Sequence, residues 1–152
     1  MKQMMIGLMA GWLLALPSAV MAGDFTVTTT DDAGGTTCTA SVCSLRAAIA
    51  ASNETSDSDT ITLADAGTIE LNAPLPAISG ELTILGPGAD ELLIEGSSAF
   101  ELTDGSLTIT DVYLSGEGPL ITARAGSVTL AGLSIDARSG AAIALDEGAT
   151  LL

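Results

Sequence analysis

Apolar and polar residues alternate in short runs along most of this chain. Asp24-Phe-Thr-Val-Thr-Thr-Thr30 has the period-two pattern of a half-buried strand. Asp31-Asp-Ala-Gly-Gly35 then reads as a turn. After residue 22 only one segment carries convincing helical spacing: Ser44–Asn53, SLRAAIAASN. Leu45, Ala48 and Ile49 fall on one face of it, and Ser44 is a fitting N-cap. Asn53–Asp59 is polar and predicts a loop. From Thr60 onward the chain changes character, to short β-rich runs punctuated by glycine.

Those runs repeat. Gly105-Ser-Leu-Thr-Ile-Thr-Asp-Val-Tyr-Leu114 aligns with Gly126-Ser-Val-Thr-Leu-Ala-Gly-Leu-Ser-Ile135 at an offset of 21 residues. Another copy aligns 22 residues further on, at Gly148-Ala-Thr-Leu-Leu152. The segment before each glycine repeats too: Phe100-Glu-Leu102, Ile121-Thr-Ala123, Ile143-Ala-Leu145. A looser copy is Glu81-Leu-Thr-Ile84, with Gly86-Pro-Gly-Ala-Asp90 inserted before Leu92-Leu-Ile94. Self-similarity at this period marks a solenoid. Leucine-rich repeats share the period, but their L-x-x-L-x-L-x-x-N frame is absent. The expected fold is all-β: a right-handed parallel β-helix of about 21–22 residues per coil, with a short N-terminal capping helix. Each coil would contain about three short strands. The inward columns would be Phe100/Ile121/Ile143, Leu82/Leu107/Val128, Ile84/Ile109/Leu130 and Ile94/Leu114/Ile135. Thr83/Thr108/Thr129 would stack outward, with Leu151 next in line. A sandwich of short strands is the competing arrangement.

Solenoids have two open ends, whose unpaired edges invite association. The helix at Ser44–Asn53 is placed to cover the first coil. The last coil has no cover, so the sequence reads as truncated at its C-terminus, or as open to a partner or to end-to-end self-association. The opening segment differs from all of this. Lys2 precedes an apolar run, Met4–Leu16, and Ala19-Val-Met-Ala22 offers small residues before a cut ahead of Gly23. That is the form of a signal peptide. The run falls short of the roughly 20 residues a membrane span needs; an uncleaved anchor is the alternative. No later segment is long and apolar enough to cross a bilayer. The domain plan is therefore residues 1–22 as leader, 23–59 as N-terminal strand, cysteine loop and capping helix, and 60–152 as β-helix coils.

Export places Cys38 and Cys43 in an oxidising compartment. Their spacing allows a small structural disulfide. A zinc site would need further ligands, and the chain has no His. A redox-active pair more often reads C-x-x-C. Two free thiols remain the alternative.

At Cys43-Ser-Leu-Arg-Ala-Ala-Ile49 the sequence resembles the CSLREA-type N-terminal module of bacterial secreted and surface β-helix proteins. Those belong to the pectin-lyase-like group, which includes polymorphic outer membrane proteins. The resemblance extends through Asn53, Asp59-Thr-Ile61, Leu75-Pro-Ala-Ile78, Leu82-Thr-Ile84 and Gly86-Pro-Gly-Ala-Asp90, so Ser44, Leu45, Arg46 and Ile49 become the residues of a helix cap. Ala47 stands where the family has Glu. Counted from Ser44 this is the third helical position, so the reciprocal capping-box bond is lost, at a cost of at most about 1 kcal/mol. The resemblance implies an exported, usually non-catalytic surface module of a bacterial adhesin-like or scaffold protein. Its partner would be a cell-surface or extracellular glycan or protein.

Charge narrows the chemistry. The chain carries 4 Lys+Arg, 19 Asp+Glu and no His, a formal net charge of −15. Removing the leader takes Lys2 as well and leaves Arg46, Arg124 and Arg138. Such a surface repels phosphate backbones, which argues against nucleic-acid binding. Without His, and without Lys after cleavage, His triads, P-loops and Schiff-base mechanisms are excluded. A polysaccharide lyase or hydrolase of the pectin-lyase-like group, truncated or degenerate, is the enzymatic alternative. Arg124 or Arg138 would then take the proton, or Asp104, Asp111, Asp136, Asp146 and Glu147 would supply carboxylates. These acids fall mostly at turns, the pattern of a solvated surface. No catalytic, cofactor-binding or metal residue is assigned. Calcium on the loop Asn53, Glu54, Asp57 and Asp59 is a weak alternative, without an EF-hand frame. Asn53-Glu-Thr55 matches the N-glycosylation pattern by chance in a chain read as bacterial. The outward Thr column resembles the flat Thr faces of ice-binding β-helices, although Thr is also an ordinary exposed strand residue.

Overall fold

The computed structural model describes residues 22–35 and 37–152; the expected leader lies, apart from Ala22, outside them. The element order is β1 (Asp24–Val27), α1 (Leu45–Ser52), β2 (Asp59–Leu63), β3 (Gly67–Glu70), β4 (Ile78–Leu85), β5 (Leu92–Glu95), β6 (Phe100–Thr110), β7 (Tyr113–Gly116), β8 (Ile121–Ala123), β9 (Gly126–Ala131), β10 (Ser134–Ala137), β11 (Ile143–Leu145) and β12 (Ala149–Leu151). The strands pair in parallel and wind into a β-solenoid of about four turns. One sheet runs β1-β2-β4-β6-β8-β11, with β9 pairing both β6 and β12. The other runs β10-β7-β5-β3. β6 spans two faces of its coil: Phe100–Leu102 pairs with β8 and Ser106–Thr110 with β9. Thus three strand directions per coil collapse into two sheets. β1, which the sequence sets apart from the coils, is the first strand of the larger sheet, with Phe25 beside Ile61.

The expected columns form. Phe100, Ile121 and Ile143 stack in register. So do Leu82, Leu107 and Val128, and beside them Ile84, Ile109 and Leu130. On the second sheet Ile94, Leu114 and Ile135 stack, and Ile69 extends the column upward. Their inner members are almost completely removed from water, with Leu107, Ile109, Leu114 and Ile121 each 0% exposed. Burying such a side chain stabilises by roughly 1.5–3 kcal/mol before the entropy cost.

Glycine closes the corner between the two halves of each long edge. Gly80, Gly105 and Gly126 stack on one another with φ of 107°, 94° and 83°. A Cβ on Gly105 would meet the Gly80 carbonyl oxygen at 2.1 Å, and one on Gly126 would meet that of Gly105 at the same distance. Positive φ and the close approach both demand glycine.

One register differs from the sequence alignment. Ala149, not Gly148, lies beside Gly126, and Leu151 lies beside Val128. The turn Asp146–Gly148 holds one residue more than its counterpart Arg124–Ala125, closed by Ala149 N–H donating to the Asp146 carbonyl at 3.1 Å. The extra residue puts Leu151 in the inward column, so it does not continue the Thr column. A single-residue slip would have put its side chain on the outer face of the sheet.

This register makes a sharp prediction. Ile109→Asp puts a charge into a dry column and should cost more than about 4 kcal/mol, enough to prevent folding. Thr108→Asp, one residue away on the outer side, should shift the denaturation midpoint only slightly. Circular dichroism through a urea titration reads both.

Candidate functional site

The chain between β1 and α1 is irregular, and three local devices hold it. Cys38 and Cys43 sit at disulfide distance, with Cα atoms 4.4 Å apart. Cys43 is buried and strapped to the end of β1: its N–H donates to Thr28 Oγ1 at 3.0 Å, and its carbonyl accepts from Thr28 N–H at 2.9 Å. Ser44 then caps α1, its Oγ accepting from Ala47 N–H at 3.2 Å. Leu45, Ala48 and Ile49 drop into the core, and α1 packs on β1 and β2. Ala47 is itself buried. Asn53, at the far end of α1, donates through Nδ2 to the Ala77 carbonyl at 2.8 Å and accepts from Ser79 N–H at 3.1 Å.

Arg46 makes the strongest polar contact of the cap. Its Nε and Nη2 donate to the two Asp32 carboxylate oxygens, both at 2.8 Å. Nη2 also reaches the Ala73 carbonyl and Nη1 the Pro74 carbonyl, each at 2.7 Å. Asp32 in turn accepts from Asn72 N–H at 2.8 Å. One guanidinium thereby ties the β1–α1 segment, the helix and the 72–75 loop together. The Asp32 side chain is 2% exposed. The Arg46 guanidinium holds its carboxyl below the usual carboxylate range; burial opposes this, and the Asn72 amide adds to it. Asp32 carries no signal in the sequence, because the loop that brings it to Arg46 has no period.

The two other arginines also have partners that the sequence reading missed. Arg124 pairs with Glu101 at 2.5 Å and Arg138 with Glu95 at 2.6 Å. Both pairs are solvent-exposed, and each carboxylate raises its arginine's pKa. Proton abstraction needs the opposite shift. The Arg124 partner was legible: Glu101 stacks beside Thr122, two positions from Arg124 on the same outward parity. The acids Asp104, Asp111, Asp136, Asp146 and Glu147 are exposed. Asp104 accepts from Gly105 N–H at 2.9 Å, an ordinary turn contact. Among the described residues no three acidic side chains gather closely enough to hold a metal ion. The calcium candidates part company: Asp57 is exposed, Asn53 ties α1 to the next coil, and Asp59 turns inward. No helix among the described residues is long and apolar enough to cross a membrane.

The outward face of the larger sheet is built of hydroxyls. Thr60, Thr83, Thr108 and Thr129 stack in register, one coil longer than the sequence indicated. Ser106 and Ser127 stack on one side, next to Glu81, and Thr62, Leu85 and Thr110 on the other. Neighbouring strands set successive members of each column about 4.8 Å apart along the solenoid. Elsewhere, an open groove of about 560 Å³ separates β1 from the cysteine loop, lined by Phe25, Thr26, Cys38 and Thr39 among others.

The cap should show itself in acid. Asp32 has a depressed folded-state pKa, so its contribution is complete above the unfolded value near 3.9 and is lost as pH falls below it. Asp32→Asn should therefore lower stability at pH 7 and converge on the wild type as pH falls through the depressed folded-state value. Arg46→Ala should cost about 3 kcal/mol at pH 7, because it strands a buried carboxylate. Urea midpoints against pH check both. No family model, curated protein or solved structure matches the chain, so the likeness to the CSLREA module rests on the motif residues alone.

Proposed function

We propose that this chain is an exported, non-enzymatic β-solenoid module of a bacterial surface or scaffold protein, which displays its hydroxyl face to an extracellular glycan. The stacked Thr60/Thr83/Thr108/Thr129 array carries this reading. Regularly spaced hydroxyls both donate and accept hydrogen bonds, as a polyhydroxylated chain requires. Between β2 and β9 the two columns Thr60/Thr83/Thr108/Thr129 and Thr62/Leu85/Thr110/Ala131 carry no charge, on an otherwise acidic molecule. Export is supported by the signal-peptide form of residues 1–22 and by the cysteine pair. The exposed Leu145, Leu151 and Leu152 of the last coil suit a partner or a second copy added end to end.

The alternative is a truncated or degenerate polysaccharide lyase or hydrolase. The raised pKa values of Arg124 and Arg138 count against the lyase form.

One assay separates the two. The protein is incubated with polyuronates and neutral polysaccharides, with calcium present, and both retention and unsaturated-product absorbance are followed. The expected result is retention without turnover, weakened at least tenfold by Thr108→Glu together with Thr129→Glu at unchanged thermal stability. Turnover that disappears in Arg124→Ala or Arg138→Ala would establish the enzyme instead.

A further inference from the structure

Asp59 is the exception in the core. It occupies the inward column beside Leu82 and is 3% exposed. Its Oδ1 accepts from Gly23 N–H at 2.6 Å, and its Oδ2 accepts from the Thr55 hydroxyl. Among the described residues no cation pairs with it. Arg46, Arg124 and Arg138 are each committed to another carboxylate. A carboxylate buried this deeply is costly unless a charge compensates it.

Gly23 is held as tightly as its partner. Its carbonyl accepts from Thr60 N–H at 3.0 Å. A Cβ on Gly23 would meet the Phe25 ring at 2.6 Å and Asp59 Oδ1 at 3.0 Å, so a residue with a side chain is crowded out. Gly23 is also the first residue after the expected leader cut.

We propose that Ala22–Gly23 is a processing site, and that the α-ammonium released at Gly23 is the missing counter-ion of Asp59. This inference rests on the export reading above. Hydrolysis by an endopeptidase consumes one water. The Ala22 carbonyl carbon gains the hydroxyl and leaves as a carboxylate. The Gly23 nitrogen loses its acyl bond and is protonated to an ammonium. That nitrogen already sits at charge-assisted hydrogen-bond distance from Asp59 Oδ1. A dipole-to-charge contact becomes an ion pair with a carboxylate that is 3% exposed. After leader removal neither Lys nor His remains, so the terminal amine is the fourth cation beside three committed arginines.

The test compares chains that begin at Gly23 with a free amine, at Gly23 with an acetylated amine, and at Ala22. The free-amine chain should have a folding equilibrium constant about tenfold or more above the other two, read from urea midpoints at constant slope. In Asp59→Asn versions the advantage should vanish, and the amine should acylate faster with acetic anhydride. Equal midpoints for free and acetylated chains that carry Asp59 would overturn the ion pair. That comparison stands even where Asp59→Asn fails to fold. Intact mass of the natural product tests the cut separately: a first residue other than Gly23 overturns the processing site, whatever the midpoints show.

Discussion

The parallel ladder between coils imposes one condition on everything else: each turn must set its next strand directly onto the strand below. Backbone hydrogen bonds are satisfied only in that position. Once the strands are in register, side chains of like parity stack as well, so an aliphatic column inside and a hydroxyl column outside come from the same geometry. Ile84, Ile109 and Leu130 fill the inside while Thr83, Thr108 and Thr129 cover the outside of the same strands. The glycine corner at Gly80, Gly105 and Gly126 lets the backbone turn without losing the stack. The extra residue in the Asp146–Gly148 turn is absorbed in the loop, because a shift within β12 would break the stack of Leu151 on Val128.

A ladder must also start somewhere. Among the described residues the first strand has no coil above it, and α1 packs against β1 and β2. Eight residues are too few to make a helix stable by itself, so α1 depends on what holds it. Packing of Leu45, Ala48 and Ile49 provides the area; the Ser44 cap, the Cys38–Cys43 loop and the Arg46–Asp32 pair provide the direction. The bidentate pair also bonds two carbonyls of the 72–75 loop, so the helix is tied to the coil that it covers. Replacing such a network with apolar side chains could preserve stability, but it would not select one orientation in the same way.

Positive charge is scarce in this molecule, and its placement shapes the functional reading. Every arginine among the described residues serves a carboxylate: one in the cap and two on the outer faces. The two exposed pairs contribute little stability, but they engage two of the three arginines among the described residues. In the function proposed above, recognition falls to the uncharged hydroxyl face.

The period-two alternation and the offset of 21 residues determined the parallel solenoid and its inward columns, and the helical spacing after Ser44 determined the helix. Short-range periodicity encodes those features, because a repeated strand can bury its aliphatic side only against its own copy. Part of the Thr column was equally legible; Thr60 was hidden because the first coils deviate from the later spacing. The tertiary structure alone decided the contacts between irregular segments: Asp32 on Arg46, Asn53 on the 77–79 backbone, Glu95 on Arg138 across two coils, and Asp59 against Gly23. Asp57 and Asp59 look alike in sequence, two residues apart in one polar loop, yet Asp57 faces water while Asp59 enters the core. Where that loop ends and β2 begins sets the difference, and that boundary depends on pairing with β1 and β4, strands far away in the chain.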